Sequence, residues 1–131
     1  MLGRRTVVVD DDAVTRQLLV ELFEEEGYEV RAAADGVEGL ALLQSWRPEV
    51  VVLDAVMPRA DAAAFRAAQK GLPAVRDVPV VLLSASGAEE LDQLARQLDA
   101  AAALPKPFDV DELLAVVRRI AAAAAAAAPR A

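Results

Sequence analysis

Five polar residues of this 131-residue chain stand where short apolar runs stop. Asp10 and Asp11, followed by Asp12, close the run Thr6-Val7-Val8-Val9, and Asp54 closes Glu49-Val50-Val51-Val52-Leu53. Ser84 ends the stretch Val78 to Leu83, and Lys106 lies just past Ala100 to Leu104. The chain contains neither histidine nor cysteine. Ser-His-Asp catalysis, imidazole acid-base work, thiolate nucleophiles and the commonest zinc ligands are therefore excluded. What remains is chemistry on carboxylates, hydroxyls and lysine, or on a hard cation such as Mg²⁺. Three carboxylates gathered at one place repel strongly: two unit charges about 4 Å apart cost roughly 4 kcal/mol at an effective dielectric near 20. Lys106 offers one compensating charge. A Mg²⁺ held by two carboxylates and waters would supply the rest and leave coordination positions for a phosphate oxygen. A carboxylate nucleophile, a hard dication, a hydroxyl and an ammonium are the parts that phosphoryl transfer to aspartate requires.

These residues act together only if the fold brings strand ends to one edge, and the pattern of the chain predicts such a fold. Apolar strand-like runs at Thr6 to Val9, Tyr28 to Ala32, Glu49 to Leu53, Val78 to Leu83 and Ala100 to Leu104 alternate with helical periodicity. The helices are expected to bury Val14, Leu18, Leu19, Leu22 and Phe23; Val37, Leu40, Ala41 and Leu43; Phe65 and Ala68; Leu91, Leu94, Ala95 and Leu98; and Val110, Leu113, Leu114, Val117 and Ile120. Asp12 is placed as a helix cap, and Asp35 with Glu38, Ser86 with Glu89 and Asp109 with Glu112 as capping boxes. Gly27 and Pro48 end the first two helices. Five β-α units demand a parallel sheet with right-handed crossovers and helices on both faces, and ligand chemistry then gathers at the carboxyl ends of the strands.

The order Val9-Asp10-Asp11, Leu53-Asp54-Ala55-Val56-Met57-Pro58, Leu83-Ser84-Ala85 and Lys106-Pro107-Phe108 resembles the response-regulator receiver family over about residues 6 to 120. The resemblance implies an α/β, flavodoxin-like (βα)5 fold: a doubly wound five-stranded parallel sheet of order 2-1-3-4-5. It implies Asp54 as phosphoacceptor, Asp10 and Asp11 as the acidic pair serving Mg²⁺, Ser84 as the phosphoryl-sensing hydroxyl and Lys106 as the ammonium pairing with the acyl phosphate. The Val56 backbone carbonyl is implied as a further metal ligand beside Asp54, and the Lys106-Pro107 peptide as cis. The implied partners are a sensor histidine kinase or histidine phosphotransfer protein and a downstream target protein, with a homodimer also compatible. The output is then a population shift between surface arrangements, not turnover of a metabolite, so the chain reads as no enzyme. Three positions depart from the family's pattern. Ala103 stands where an aromatic switch residue is frequent, and Ala62 and Asp99 stand where glycine is usual. A positive φ at either would carry strain of about 1 to 2 kcal/mol.

The remaining composition narrows the partners. With 21 acidic and 14 basic residues the formal charge is -7 and the pI near 4.6, which argues against binding nucleic acid or an anionic membrane. Val7 to Val9 is too short for a signal-peptide core, and the Ala121 to Ala128 run is too weakly apolar for a membrane segment, so the chain reads as cytoplasmic. Residues 1–120 are expected to form the domain, with 121–131 an Ala-rich helical extension or linker. Taken singly, an acidic run is usually a solvated turn, and the serine and the lysine are ordinary loop residues; their joint placement raises them above that. Two other functions fit part of the pattern. One is a receiver-like docking module that is never phosphorylated, in keeping with Ala103. The other resembles the haloacid dehalogenase phosphatases, with Asp10 as nucleophile and Asp12 as acid-base. That reading lacks an acidic pair on a later strand end and gives Asp54 no role.

Overall fold

The structure is a computed structural model that describes residues 4–55, 61–85 and 87–127. Each apolar run becomes a strand: β1 (Arg4–Val9), β2 (Tyr28–Ala33), β3 (Val50–Asp54), β4 (Val80–Ser84) and β5 (Ala102–Pro105). The helices α1 (Ala13–Glu25), α2 (Gly36–Trp46), α3 (Ala62–Lys70), α4 (Ala88–Leu98) and α5 (Val110–Ala127) alternate with them. All pairings are parallel and the strand order is β2-β1-β3-β4-β5. The order in which strands are added reverses between β1 and β3, which places a crevice at the carboxyl ends of those two strands.

Side chains along the central strands alternate between two cores, as the two-residue period of a strand requires. Val7, Val9, Val51, Leu53, Val80 and Leu82 pack with Leu43, Phe65 and Leu91 from α2, α3 and α4. Val8, Val50, Val52, Val81 and Leu83 pack with Leu19, Phe23, Leu113 and Val117 from α1 and α5. With both faces covered, apolar residues fill β3 and β4 without alternation of polarity. Alanine, a poor strand former, still forms β5, because Ala102 and Leu104 complete the second core against β4.

The expected helix faces need correction at several positions. On α1, Leu19 and Phe23 are buried, whereas Val14 is 77% and Leu18 48% exposed. On α2 the buried side is Gly36, Gly39, Leu43 and Trp46, while Val37 and Ala41 face out. The cause is a close approach at Gly39, where a Cβ would lie 2.8 Å from Val9 Cγ2. On α3, Ala68 is exposed and Arg66 and Gln69 are buried with Phe65; Val110 of α5 is exposed. The carboxylates of Asp12, Asp35, Asp61 and Asp109 cap their helices by accepting backbone N–H groups three residues on. α4 differs: Gly87 is its N-cap and supplies no side-chain bond, and Ser86 lies outside the described residues. Of the two glycine-replacing positions, Asp99 does adopt a left-handed conformation, with φ 53°, whereas Ala62 lies in the first turn of α3 without positive φ. The last helix continues through the alanine run as far as Ala127.

Candidate functional site at the carboxyl edge of the sheet

β1 and β3 end one residue apart in register, Val9 beside Leu53, so the next residues Asp10 and Asp54 emerge side by side. Both are buried, Asp10 at 1% and Asp54 at 8% exposure, and Asp11 is exposed. One carboxylate oxygen from each of Asp10, Asp11 and Asp54 lies within 4.8 Å of the others. Lys106 reaches in from the far end of β5. Its Nζ donates to Asp10 Oδ2 at 2.8 Å and lies 3.5 Å from Asp54 Oδ2. Burial works to lower the pKa of this ammonium, but the hydrogen bond and charge of Asp10, joined by the charge of Asp54, outweigh it and hold the pKa above its ordinary value.

The other groups are fixed by the strand ends. Ser84 is the last residue of β4 and is 2% exposed; its carbonyl accepts Lys106 N–H at 2.8 Å, which ties the lysine's backbone to the serine's. The Lys106-Pro107 peptide is cis, as the resemblance implies. In the β1–α1 loop, Asp12 N–H donates to Asp10 Oδ1 at 2.9 Å. Asp12 in turn accepts the Thr15 hydroxyl and backbone N–H, and the hydroxyl bond first holds its carboxyl below the usual range. Five of the residues singled out from the sequence, Asp10, Asp11, Asp54, Ser84 and Lys106, thus fall on one edge. Val56 lies outside the described residues, as does the Met57-Pro58 turn. Arg16 was not among the candidates, yet its Nη1 donates to the Asp10 carbonyl at 2.8 Å. Its sequence signal is slight: an arginine one turn into the helix that follows the acidic run.

The family model for the response regulator receiver domain matches residues 6–118. The chain belongs to that family. Transcriptional regulatory protein PdtaR of Mycobacterium tuberculosis is 38% identical over 117 residues, covering 87% of this chain and 55% of that protein. Response regulator MprA of Mycobacterium sp. (strain KMS) is 39% identical over 125 residues, covering 88% and 50%. The chain spans about half the length of the curated relatives it matches. Among solved structures, the Vibrio cholerae chemotaxis protein CheY4 superposes with a TM-score of 0.84 at 30% identity, covering 91% of this chain and 99% of that one. A Francisella response regulator receiver domain gives 0.82 at 29% identity, covering 91% and 97%. This is a receiver domain of two-component signalling. Among the described residues, no helix is long and apolar enough to cross a membrane.

The oxygen-only donor set of the receiver domain suits a hard cation. Mg²⁺ binds oxygens at about 2.0 to 2.1 Å, so ligand atoms across its octahedron stand roughly 4.2 Å apart. The oxygens of Asp10, Asp11 and Asp54, all within 4.8 Å of one another, fit a span of that order.

Proposed function

We propose that this receiver domain takes a phosphoryl group from a phosphohistidine of a sensor histidine kinase or histidine phosphotransfer protein onto Asp54. The reaction is Mg²⁺-dependent, and the phosphorylated surface then binds a downstream protein differently. The observation that carries this reading is the convergence of Asp10, Asp11 and Asp54 with Lys106 donating to one acid and standing beside another. An Asp54 oxygen attacks phosphorus in line, the bond from phosphorus to the imidazole nitrogen breaks, and the imidazole leaves with the electron pair. Lys106 accompanies the carboxylate throughout and pairs with the phosphoryl oxygens as they arrive, while the Ser84 hydroxyl at the tip of β4 senses them. Mg²⁺ held by Asp10, Asp11, Asp54 and the Val56 carbonyl would neutralise the transferring oxygens. Val14 and Leu18, exposed on α1 directly after the acidic loop, offer the donor protein an apolar footing.

Ala103 favours a second reading, a docking module that is not phosphorylated. Its half-buried methyl packs against the core under α2, α3 and α4, and offers no ring to rotate when the site changes charge. Both readings, and the phosphatase alternative, separate in one experiment. The protein is incubated with Mg²⁺ and acetyl phosphate, its intact mass is measured, and the modified residue is located. A single added phosphoryl group on Asp54, absent from Asp54→Asn, is the expected result. Label kept in Asp54→Asn but lost in Asp10→Asn would point to the hydrolase, and an inert wild-type chain to docking alone. Trp46 fluorescence does not serve here. The indole lies under Arg5, at the opposite end of β1 from Asp10 and roughly 16 Å away along the strand.

A further inference from the structure

The backbone of Asp10 is held on only one side by the sheet. Its N–H extends the β1–β2 ladder by donating to Ala33 O at 3.1 Å. The carbonyl of a parallel-strand residue faces the same neighbour as its N–H, but β2 ends at Ala33 and no described backbone amide beyond it donates to Asp10 O. The Asp10 carbonyl therefore leaves the strand without a sheet partner in a residue that is 1% exposed, where water cannot take that role. Arg16 supplies the donor. Its guanidinium folds back from the first turn of α1 to the Asp10 carbonyl at 2.8 Å, while its own N–H donates to Asp12 O at 2.9 Å. The three-residue connection from β1 to α1 is so closed from both ends.

The peptide that Arg16 grips is the one from which Asp11 springs. Asp11 is exposed, and its carboxylate accepts no hydrogen bond from any described residue. Asp10 is aimed by Lys106 and Asp12 N–H, and Asp54 by the end of β3. Asp11 has only its backbone to direct it. We infer that Arg16 is a positioning residue for the cation site: by fixing the Asp10-Asp11 peptide, it aims the Asp11 carboxylate into the cluster. This inference rests on the proposed reading of Asp10, Asp11 and Asp54 as a Mg²⁺ site.

Charge and position make opposite predictions for Arg16. A guanidinium beside a dication repels it, so if Arg16 acted only through its charge, removing it would tighten Mg²⁺ binding. If it acts by fixing the peptide, removal loosens binding. The test is isothermal titration of the full chain with MgCl₂, alongside melting curves in chelator. Arg16→Ala is expected to raise the Mg²⁺ Kd about tenfold, the size usual for loss of a group that orients a metal ligand. Arg16→Lys, with one donor on a flexible stem, is expected to fall between the two. Arg16→Met keeps the apolar stem and gives the same reading should the alanine variant fold poorly. An unchanged or lower Kd in Arg16→Ala or Arg16→Met overturns the inference. A lower melting temperature in chelator with an unchanged Kd does the same, because it marks a purely structural bond. If wild type itself takes up no Mg²⁺, the cation reading fails first and takes this inference with it. Wild-type binding with indifferent Arg16 variants sinks the inference alone.

Discussion

The two ends of the sheet treat buried charge in opposite ways. At the carboxyl ends of the strands, Asp10, Asp11 and Asp54 crowd together and the ammonium of Lys106 is shared between two of them. At the amino ends of β4 and β5, Arg66 is buried as deeply as Asp54, but every group on it is answered. Its Nε donates to Leu98 O at 2.9 Å, Nη2 to Asp99 O at 3.1 Å and Nη1 to Gln69 Oε1 at 2.8 Å. Gln69, wholly buried, then donates from Nε2 to both Val75 O and Val78 O at 2.9 Å. The lower network satisfies itself from the last turn of α4, α3 and the α3–β4 loop, and so has no need of a ligand. The upper one collects three negative charges against one bridging ammonium. A charge imbalance that folding leaves standing in a crevice is the mark of a site that expects something from solution.

The largest test of this contrast is Arg66→Ala. It would leave three acceptors without their donor: the Gln69 amide oxygen and the carbonyls of Leu98 and Asp99. At roughly 1 kcal/mol for each unmet acceptor, urea unfolding should show a loss of about 3 kcal/mol. Labelling at Asp54 by acetyl phosphate should persist in whatever fraction stays folded. Asp54→Asn should behave in the reverse manner, losing all label with little loss of stability. If Arg66→Ala costs under about 1 kcal/mol, the lower network is not structural in the sense argued, and the contrast breaks.

A smaller effect sharpens the lower end. Asp99 closes α4 in a left-handed conformation, yet the network uses only its backbone carbonyl. Asp99→Gly keeps that carbonyl and relieves the side chain's clash, so it should stabilise the fold by about 1 kcal/mol. Equal or lower stability in urea would mean that the Asp99 side chain contributes something the backbone bonds do not.

How far each end was legible in the sequence follows from the same contrast. Asp10, Asp54, Ser84 and Lys106 could be read because each ends or follows an apolar run, and parallel strands carry their ends to one edge whatever the loops do. The lower network could not. Arg66 answers carbonyls 32 and 33 residues away, and a lone arginine on a short helix has the signature of a solvated charge. Val14 and Leu18 fit an apolar stripe equally well, since periodicity shows which residues share a face but not how wide a face the neighbours cover. Gly39 misled in the other sense: a residue without a side chain leaves no mark on a hydrophobic pattern, although it sets how closely α2 approaches Val9. Arg16 escaped because its partner is a backbone carbonyl, and no residue type announces one.

The smallest effect expected is the response to pH, and its sign follows from the upper end. The Lys106 pKa is raised in the folded chain despite burial, because Asp10 and then Asp54 favour the charged form. Its contribution is therefore whole below the ordinary lysine pKa and is lost as pH rises through the raised value. Asp12 is shifted the other way by the Thr15 hydroxyl, so its contribution is present above the ordinary carboxylate range and fades as pH falls through the lowered value. With no histidine in the chain, neither of these two changes falls between about pH 5 and 9. Beyond about pH 10, urea midpoints of wild type and Lys106→Met should converge, since the wild type loses the charge that the variant lacks throughout. A gap that stays constant across that range would show that Lys106 supports the acids through the packing of its stem and not through its ammonium.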